Sequence, residues 1–417
     1  TNCYSHTISG DKPDCPLCSK RSHAEVIAEV NNIIAEGAHS VKSDARIIAW
    51  TWGWHPDWSA EAISLLNKDV ILMCTSEEAM PTNIAGVKGE VIDYTMSIPG
   101  PGQRSINNWK KAKESGHKAM AKVQFNVTWE CSAVPFLPVM NLLNQYLNGL
   151  NNSGVTGMML SWTLGGYPSL NLEFASLLYW DEGHDNNSSV EEFAVQKYGT
   201  AAAPYILKAW STFSEAFKEF PFHVGTLYTA PMNYGPMNLL YDQPTGYKGT
   251  MIGFPYDDLN SWRSIYPEEI FEDQFRKLSE KWREGLKYTG QAKTELMKNN
   301  LTQNQSAKSI DELMDVSTAA YCHFRSTYLQ IEFVRIRNKL IELKNNQGSS
   351  SLRKEHIKNI IMIIDEEIQM AKLLYSIIKK DSRIGYEASN HYYYTDRDLM
   401  EKVINCECLK EKYLKML

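Results

Sequence analysis

Glu130 stands in "FNVTWECSAVPF", residues 125–136, between Trp129 and Cys131 and just past the strand-like run "KAMAKVQ". A carboxyl group placed where an apolar strand runs out, walled by indole and with Asn126 nearby, suits a glycosidase nucleophile or acid. Cleaving a glycosidic bond takes two carboxyl groups flanking it, and apolar walls tune their protonation. The alternative is a glutamate that opens the following "AVPFLPVMNLL" helix, where the dipole favours negative charge. Glu77 and Glu78 in "CTSEEAM" are the next carboxylates in line, and Asp57 and Asp93 follow.

Aromatic residues gather at the same kind of position. Trp52, Trp54 and Trp58 lie in "WTWGWHPDW", Trp129 adjoins Glu130, and Trp162 lies in "GMMLSWTLGG". Indole is bulky and its buried N–H needs a partner, so core filling alone explains one such residue better than all five. Flat apolar faces beside polar groups suit pyranose rings, which makes Trp52, Trp54, Asn126, Trp129 and Trp162 candidate sugar-binding residues. Two polar aromatic stretches, "LYTAPMNYGPMNLLY" and "SRIGYEASNHYYYTDRDL", offer further polar contacts, notably Asn390 and His391. An interdomain contact would use the same residues.

The amino-terminal "CYSHTISGDKPDCPLC" supplies Cys3, His6, Cys15 and Cys18 as two pairs of soft ligands, spaced to suit a closed, structural, tetrahedral zinc. His23 is a spare ligand. Such a set would saturate the metal, which argues against a zinc-dependent hydrolase.

These residues must be held by ordered elements. With 417 residues and 43% hydrophobic content the chain can bury a core in each of two or three domains. A net charge of −6, with no basic block, argues against a nucleic-acid partner. The longest apolar runs fall far short of the roughly 20 residues that span a bilayer, so no membrane segment is expected. The scattered cysteines do not form a disulfide framework, and a reducing, cytoplasmic setting is the expectation.

Up to about residue 185, strand-like "ARIIAWTW", "DVILMCTS", "HKAMAKVQFNVTW" and "VTGMMLSW" alternate with amphipathic runs, the pattern of parallel βα units. "GEVIDYTMS" reads as an extra strand or extended loop. From 186 to 417 helical periodicity dominates, interrupted by a loop-rich insert at about 221–267. No Gly-rich phosphate fingerprint follows the first strand, so a nucleotide-binding sheet has little support.

"GEVIDYTMSIPGPGQRSINNWKKAKESGHKAMAKVQFNVTWECSAVPFLPVMNLL", "GVTGMMLSWTLGGYPSLNLE" and "DSRIGYEASNHYYYTDRDLMEKVINCE" resemble a group of bacterial glycoside-hydrolase-like proteins distantly similar to family 20 hexosaminidases. The resemblance implies an α/β fold: the C-terminal half of a (β/α)8 barrel, strands five to eight in 1–185, followed by a mainly α-helical domain. By position it puts Glu130 at the end of strand seven as nucleophile of a retaining mechanism, with the partner carboxylate expected upstream of Thr1. Such a chain would be an incomplete hydrolase on its own. The competing expectation is a non-catalytic carbohydrate-binding or scaffold protein. Metal analysis of the purified chain tests the ligand set, with one tightly held zinc lacking an exchangeable water as the expected result.

Overall fold

The computed structural model of the chain describes residues 20–161, 167–180, 186–249, 253–298, 305–345, 350–387 and 392–417. Its contacts gather into two compact units that are interleaved in sequence. One contains the described residues up to Pro81 with Glu90–Gln124 and Gln145–Leu160. The other contains Thr82–Gly89, Phe125–Asn144 and the described residues from Ser161 onward.

The first unit is built on a parallel sheet. Helix α1 (His23–Val41) opens with a capping box, in which the Ser22 hydroxyl accepts from Glu25 N and the Glu25 carboxylate accepts from Ser22 N. Then follow β1 (Ile48–Trp50), α2 (Pro56–Leu65), β2 (Ile71–Thr75), α3 (Gln103–Glu114), β5 (Ala119–Lys122), the greater part of α4 (Met140–Ser153) and β6 (Gly157–Met159); the hairpin of β3 (Pro81–Ile84) and β4 (Val87–Glu90), between β2 and α3 in the chain, falls mostly in the other unit. The sheet order is β1-β2-β5-β6, parallel throughout. Neighbours in space are thus neighbours in the order of the βα units, as the alternating pattern predicts. Central β2 is almost wholly buried, which fits its unbroken apolar run.

Strand β5 is shorter than its apolar run suggests. Lys122 pairs with Thr75 on one side and Met159 on the other, the last residues of β2 and β6. With no ladder partner beyond, the chain leaves the sheet there. Glu130 is therefore not at a strand end; it lies in the 3-10 turn Trp129–Cys131.

The second unit is mainly helical. It contains α5 (Leu170–Trp180), α6 (Asn186–Phe217), α7 (Val224–Leu227), α8 (Ala230–Tyr234), the short pair β7 (Lys248–Gly249) and β8 (Phe254–Pro255), α9 (Leu259–Trp262), α10 (Glu268–Lys298), α11 (Gln305–Asn345), α12 (Ser350–Ile378), the pair β9 (Tyr386–Glu387) and β10 (Tyr392–Tyr393), and α13 (Asp396–Leu414). Helix α10 packs on α6 and α11, α11 on α12, and α12 on α13. Gly199, at φ 77° and ψ 162°, breaks α6 into two helical pieces.

Trp282 centres this core. Its ring lies 4.6 Å from Phe213 and 5.1 Å from Phe324, and its N–H donates to the Ser317 carbonyl at 2.8 Å. Gly285 on the same helix admits the close crossing, since a Cβ there would lie 2.3 Å from the Phe213 ring.

An ion pair is sealed inside the helices. Lys402 Nζ meets Glu367 Oε2 at 2.8 Å with both side chains wholly buried, and the Ser326 hydroxyl donates to the same oxygen at 3.1 Å. Burial pushes the Glu367 carboxyl up, and the Lys402 ammonium works against that. Lys402→Met should lower stability by about 3–5 kcal/mol because a carboxylate is then buried without its cation. Lys402→Met combined with Glu367→Leu should recover most of the loss. Urea titration checks both, and a single variant as stable as the parent would show that the pair constrains nothing.

Candidate functional site

A parallel sheet sends all its carboxyl ends to one edge, and the first unit gathers its buried charge there. β1 is followed by Trp52, β2 by Glu77 and Glu78, and β5 ends on Lys122. The loop after β4 adds Asp93, Tyr94 and Thr95.

Lys122 is fully buried. Its ammonium donates to the Val123 carbonyl at 3.1 Å and lies 4.7 Å from the centre of the Tyr94 ring, a cation–π contact. Removal from water brings its pKa down to about 7, against the opposing pull of Glu77 and Asp93. Asp93 accepts a hydrogen bond from the Trp52 indole, and burial pushes its carboxyl upward. The Trp52 ring stacks on Trp50 at 5.8 Å, and Trp50 donates to the Thr75 hydroxyl at 3.1 Å. Both indoles are half-buried, so part of each stays accessible.

Glu77 is buried, with Thr95 N donating to Oε2 at 3.4 Å. Gly100 makes room for its other oxygen, since a Cβ there would lie 3.0 Å from Oε1. Glu78 pairs with Arg104 at 3.0 Å; burial brings its pKa to about 7, although Arg104 pulls the other way. The edge thus holds two carboxyl groups biased toward the protonated form and an amine that titrates near neutrality. Such groups can donate and accept protons at neutral pH.

The other expected site residues have different settings. Trp54 is 3% exposed and packs 5.9 Å from Trp58, so it fills the core of the first unit. Asp57 is on the surface beside His55 at 3.3 Å, and His23 packs against Trp58 at 6.1 Å. In the second unit Asn126 is buried; its amide donates to the Tyr167 carbonyl at 2.7 Å and its oxygen accepts from the Ser169 hydroxyl. It ties two loop segments together. Trp129 packs against Tyr228 at 5.5 Å. Glu130 is fully buried and accepts from the Thr128 hydroxyl. Cys3, His6, Cys15, Cys18, Trp162, Asn390 and His391 lie outside the described residues. Among the described residues no group of three or more His, Cys, Asp or Glu is placed to hold a metal, and no helix is long and apolar enough to cross a membrane.

Lys122, Arg104 and Trp50 were not singled out from the sequence. The available signal was a lysine closing the otherwise apolar "AMAK" segment of a central strand, where an unpaired charge is costly.

The two shifts carry opposite pH dependences. Glu78 is raised from its usual 4.5 to about 7, so between those values the folded chain keeps a proton that the unfolded chain has lost, and stability falls as pH rises. Lys122 is lowered from 10.5 to about 7, so above that value the unfolded chain holds the extra proton and stability rises with pH. Melting temperatures across this range should show Glu78→Gln flattening the acid limb and Lys122→Met flattening the alkaline limb. Unchanged profiles in both variants would contradict the burial of these charges.

No protein-family model matches the chain, and no curated protein matches it. Among solved structures, a GH138 enzyme described as targeting pectin rhamnogalacturonan II is similar, with a TM-score of 0.51 and 8% identity. The match covers 91% of this chain and 57% of that one, so the chain spans little more than half the length of the solved protein. At that identity the likeness is one of fold: mixed α/β, with a parallel sheet and a large helical part, similar to a glycoside hydrolase.

Proposed function

We propose that this chain is a glycoside-hydrolase-like protein that handles a carbohydrate at the carboxyl edge of its parallel sheet, the sheet being strands five to eight of a (β/α)8 barrel. The observation that carries this reading is the meeting of half-buried indoles with carboxyl groups that burial biases toward the protonated form at that edge, in a fold similar to that of a glycoside hydrolase. A pyranose has apolar C–H faces and a rim of hydroxyls. The Trp50–Trp52 stack suits the face, and Asp93 suits the rim. Asp93 and Glu78, both biased toward the protonated form, suit protonation of a leaving oxygen.

Glu130, in the helical unit, is proposed as the nucleophile of a retaining mechanism, and Glu77, in the sheet unit, as a second, separate candidate carboxylate. Each is fully buried with a hydroxyl or amide donor on one oxygen. A preorganised nucleophile and a structural carboxylate share that setting. The same burial supports a second reading, a non-catalytic carbohydrate-binding or scaffold protein, because a nucleophile must reach the anomeric carbon.

Hydrolysis of aryl glycosides separates the two readings. If the carboxylates act in the reaction, Glu130→Gln and Glu77→Gln should each lower kcat by roughly 100- to 10,000-fold while melting temperature holds. A fluorinated glycoside should then label the peptide that carries the nucleophile. Full activity of Glu130→Gln removes its role, and glycan binding without hydrolysis in the parent chain favours the second reading.

A further inference from the structure

The loop-rich part of the helical unit displays a tyrosine on a rigid frame. Tyr247 is 58% exposed, yet its backbone is tied at both ends. Its N–H donates to the Thr245 hydroxyl at 3.1 Å, and its carbonyl accepts from Tyr256 N at 3.1 Å. Thr245 is held in turn by Asp257, to which its hydroxyl donates at 2.8 Å and its N–H at 3.0 Å.

Asp257 is fixed by Arg337. Their side chains meet at 2.8 Å with 8% and 2% exposure, and the guanidinium also donates to the Tyr241 carbonyl at 3.3 Å and the Asp257 carbonyl at 3.2 Å. The rings of Tyr241 and Tyr256 meet Tyr247 edge-on, at 5.9 and 6.3 Å. Beside Tyr247 lies an open cavity of about 390 Å³, whose polar lining includes Lys248, Asp258, Asn260 and Asn338. That volume falls within the range of small-ligand clefts.

A buried ion pair costs desolvation that a surface loop does not otherwise incur. Here it immobilises the segment bearing an exposed aromatic ring. A ring held still before binding loses little conformational freedom on contact, which is why rigid aromatics serve as binding anchors. The lining chemistry narrows the ligand. A phenol face next to amide and carboxylate groups fits the C–H face and hydroxyl rim of a sugar. Arg337 and Asp257 neutralise each other, leaving Asp258 and Glu268 against Lys248, an excess of one negative charge that disfavours uronates.

We propose that this cavity is an accessory binding site for a neutral glycan, with Tyr247 stacking on one pyranose ring and Asp258, Asn260 and Asn338 taking its hydroxyls. The site is separate in composition from the sheet edge and shares with it only the class of ligand.

Native affinity electrophoresis of the full chain tests it, with soluble β-glucan, galactomannan and arabinogalactan as neutral probes and polygalacturonate as the charged one. The measurement is made in a Trp52→Ala background, so that the sheet edge does not contribute. At least one neutral polymer should retard the chain, and Tyr247→Ala should weaken binding by about tenfold or more, whereas Tyr247→Trp should stay within about threefold. Unchanged melting temperatures exclude misfolding at this exposed position. The proposal is overturned if no neutral polymer retards the chain, if Tyr247→Ala binds as the parent does, or if polygalacturonate is preferred. Retardation should persist in Glu77→Gln and Asp93→Asn, so failure of the hydrolytic reading and failure of this one give different results.

Discussion

Burying an ammonium at the end of a strand constrains everything around it. Lys122 is the last residue of β5 with ladder partners on both sides, so its position is set by the sheet and its charge must be accommodated where it falls. Isolated in an apolar medium, such a charge would cost several kcal/mol. Around it stand the Tyr94 face, the Val123 carbonyl, and the carboxyl groups of Glu77 and Asp93. The loop that brings Tyr94 and Asp93 is braced by its own hydroxyls, with Thr95 and Ser97 3.0 Å apart and Ser97 N donating back to Thr95 at 3.1 Å. Carboxyl chemistry at this edge is therefore coupled to the sheet register itself.

The helical unit uses buried charge differently. Lys402 and Glu367 face each other directly, and Arg337 is surrounded by carbonyls and Asp257, so each cation has its partners in fixed geometry. Burial pushes His323 down to about 4, which keeps it neutral at physiological pH, and its Nε2 meets the Tyr394 hydroxyl at 2.7 Å. These groups join loops to helices. They contrast with the sheet edge, where Lys122 and Glu78 both titrate near neutrality.

Much of the architecture was legible because its cause is local. The strand runs around Ile48, Ile71, Ala119 and Gly157 are apolar segments between amphipathic helices, and all four pair in parallel. The run from Glu268 to Lys298 is helical over its whole length, with buried Phe271, Phe275, Leu278 and Trp282 at helical spacing. Strand ends were less legible, since β5 stops where its neighbours stop, and nothing in "QFNVTW" announces that. The β3–β4 hairpin escaped notice because its two-residue turn is Ala85-Gly86, both at positive φ, where asparagine or aspartate is the usual first residue. At the site, Glu77 and Trp52 were read from their positions after strands. Lys122 was passed over because a lysine inside an apolar run looks like an interruption until its carboxylate neighbours, distant in sequence, are seen.

The interleaving of the two units also bears on how the chain is made. The sheet unit is not complete until β6 emerges, yet Phe125–Asn144, which belongs to the helical unit, is synthesised before it. That segment must wait for partners far downstream: Asn141 N reaches the Ser214 hydroxyl at 3.3 Å, and Ala133 accepts from Gly385 N at 2.7 Å. An apolar stretch thus leaves the ribosome well before the helices that shelter it. During those seconds of elongation it is a natural place for a chaperone to act or for self-association to begin.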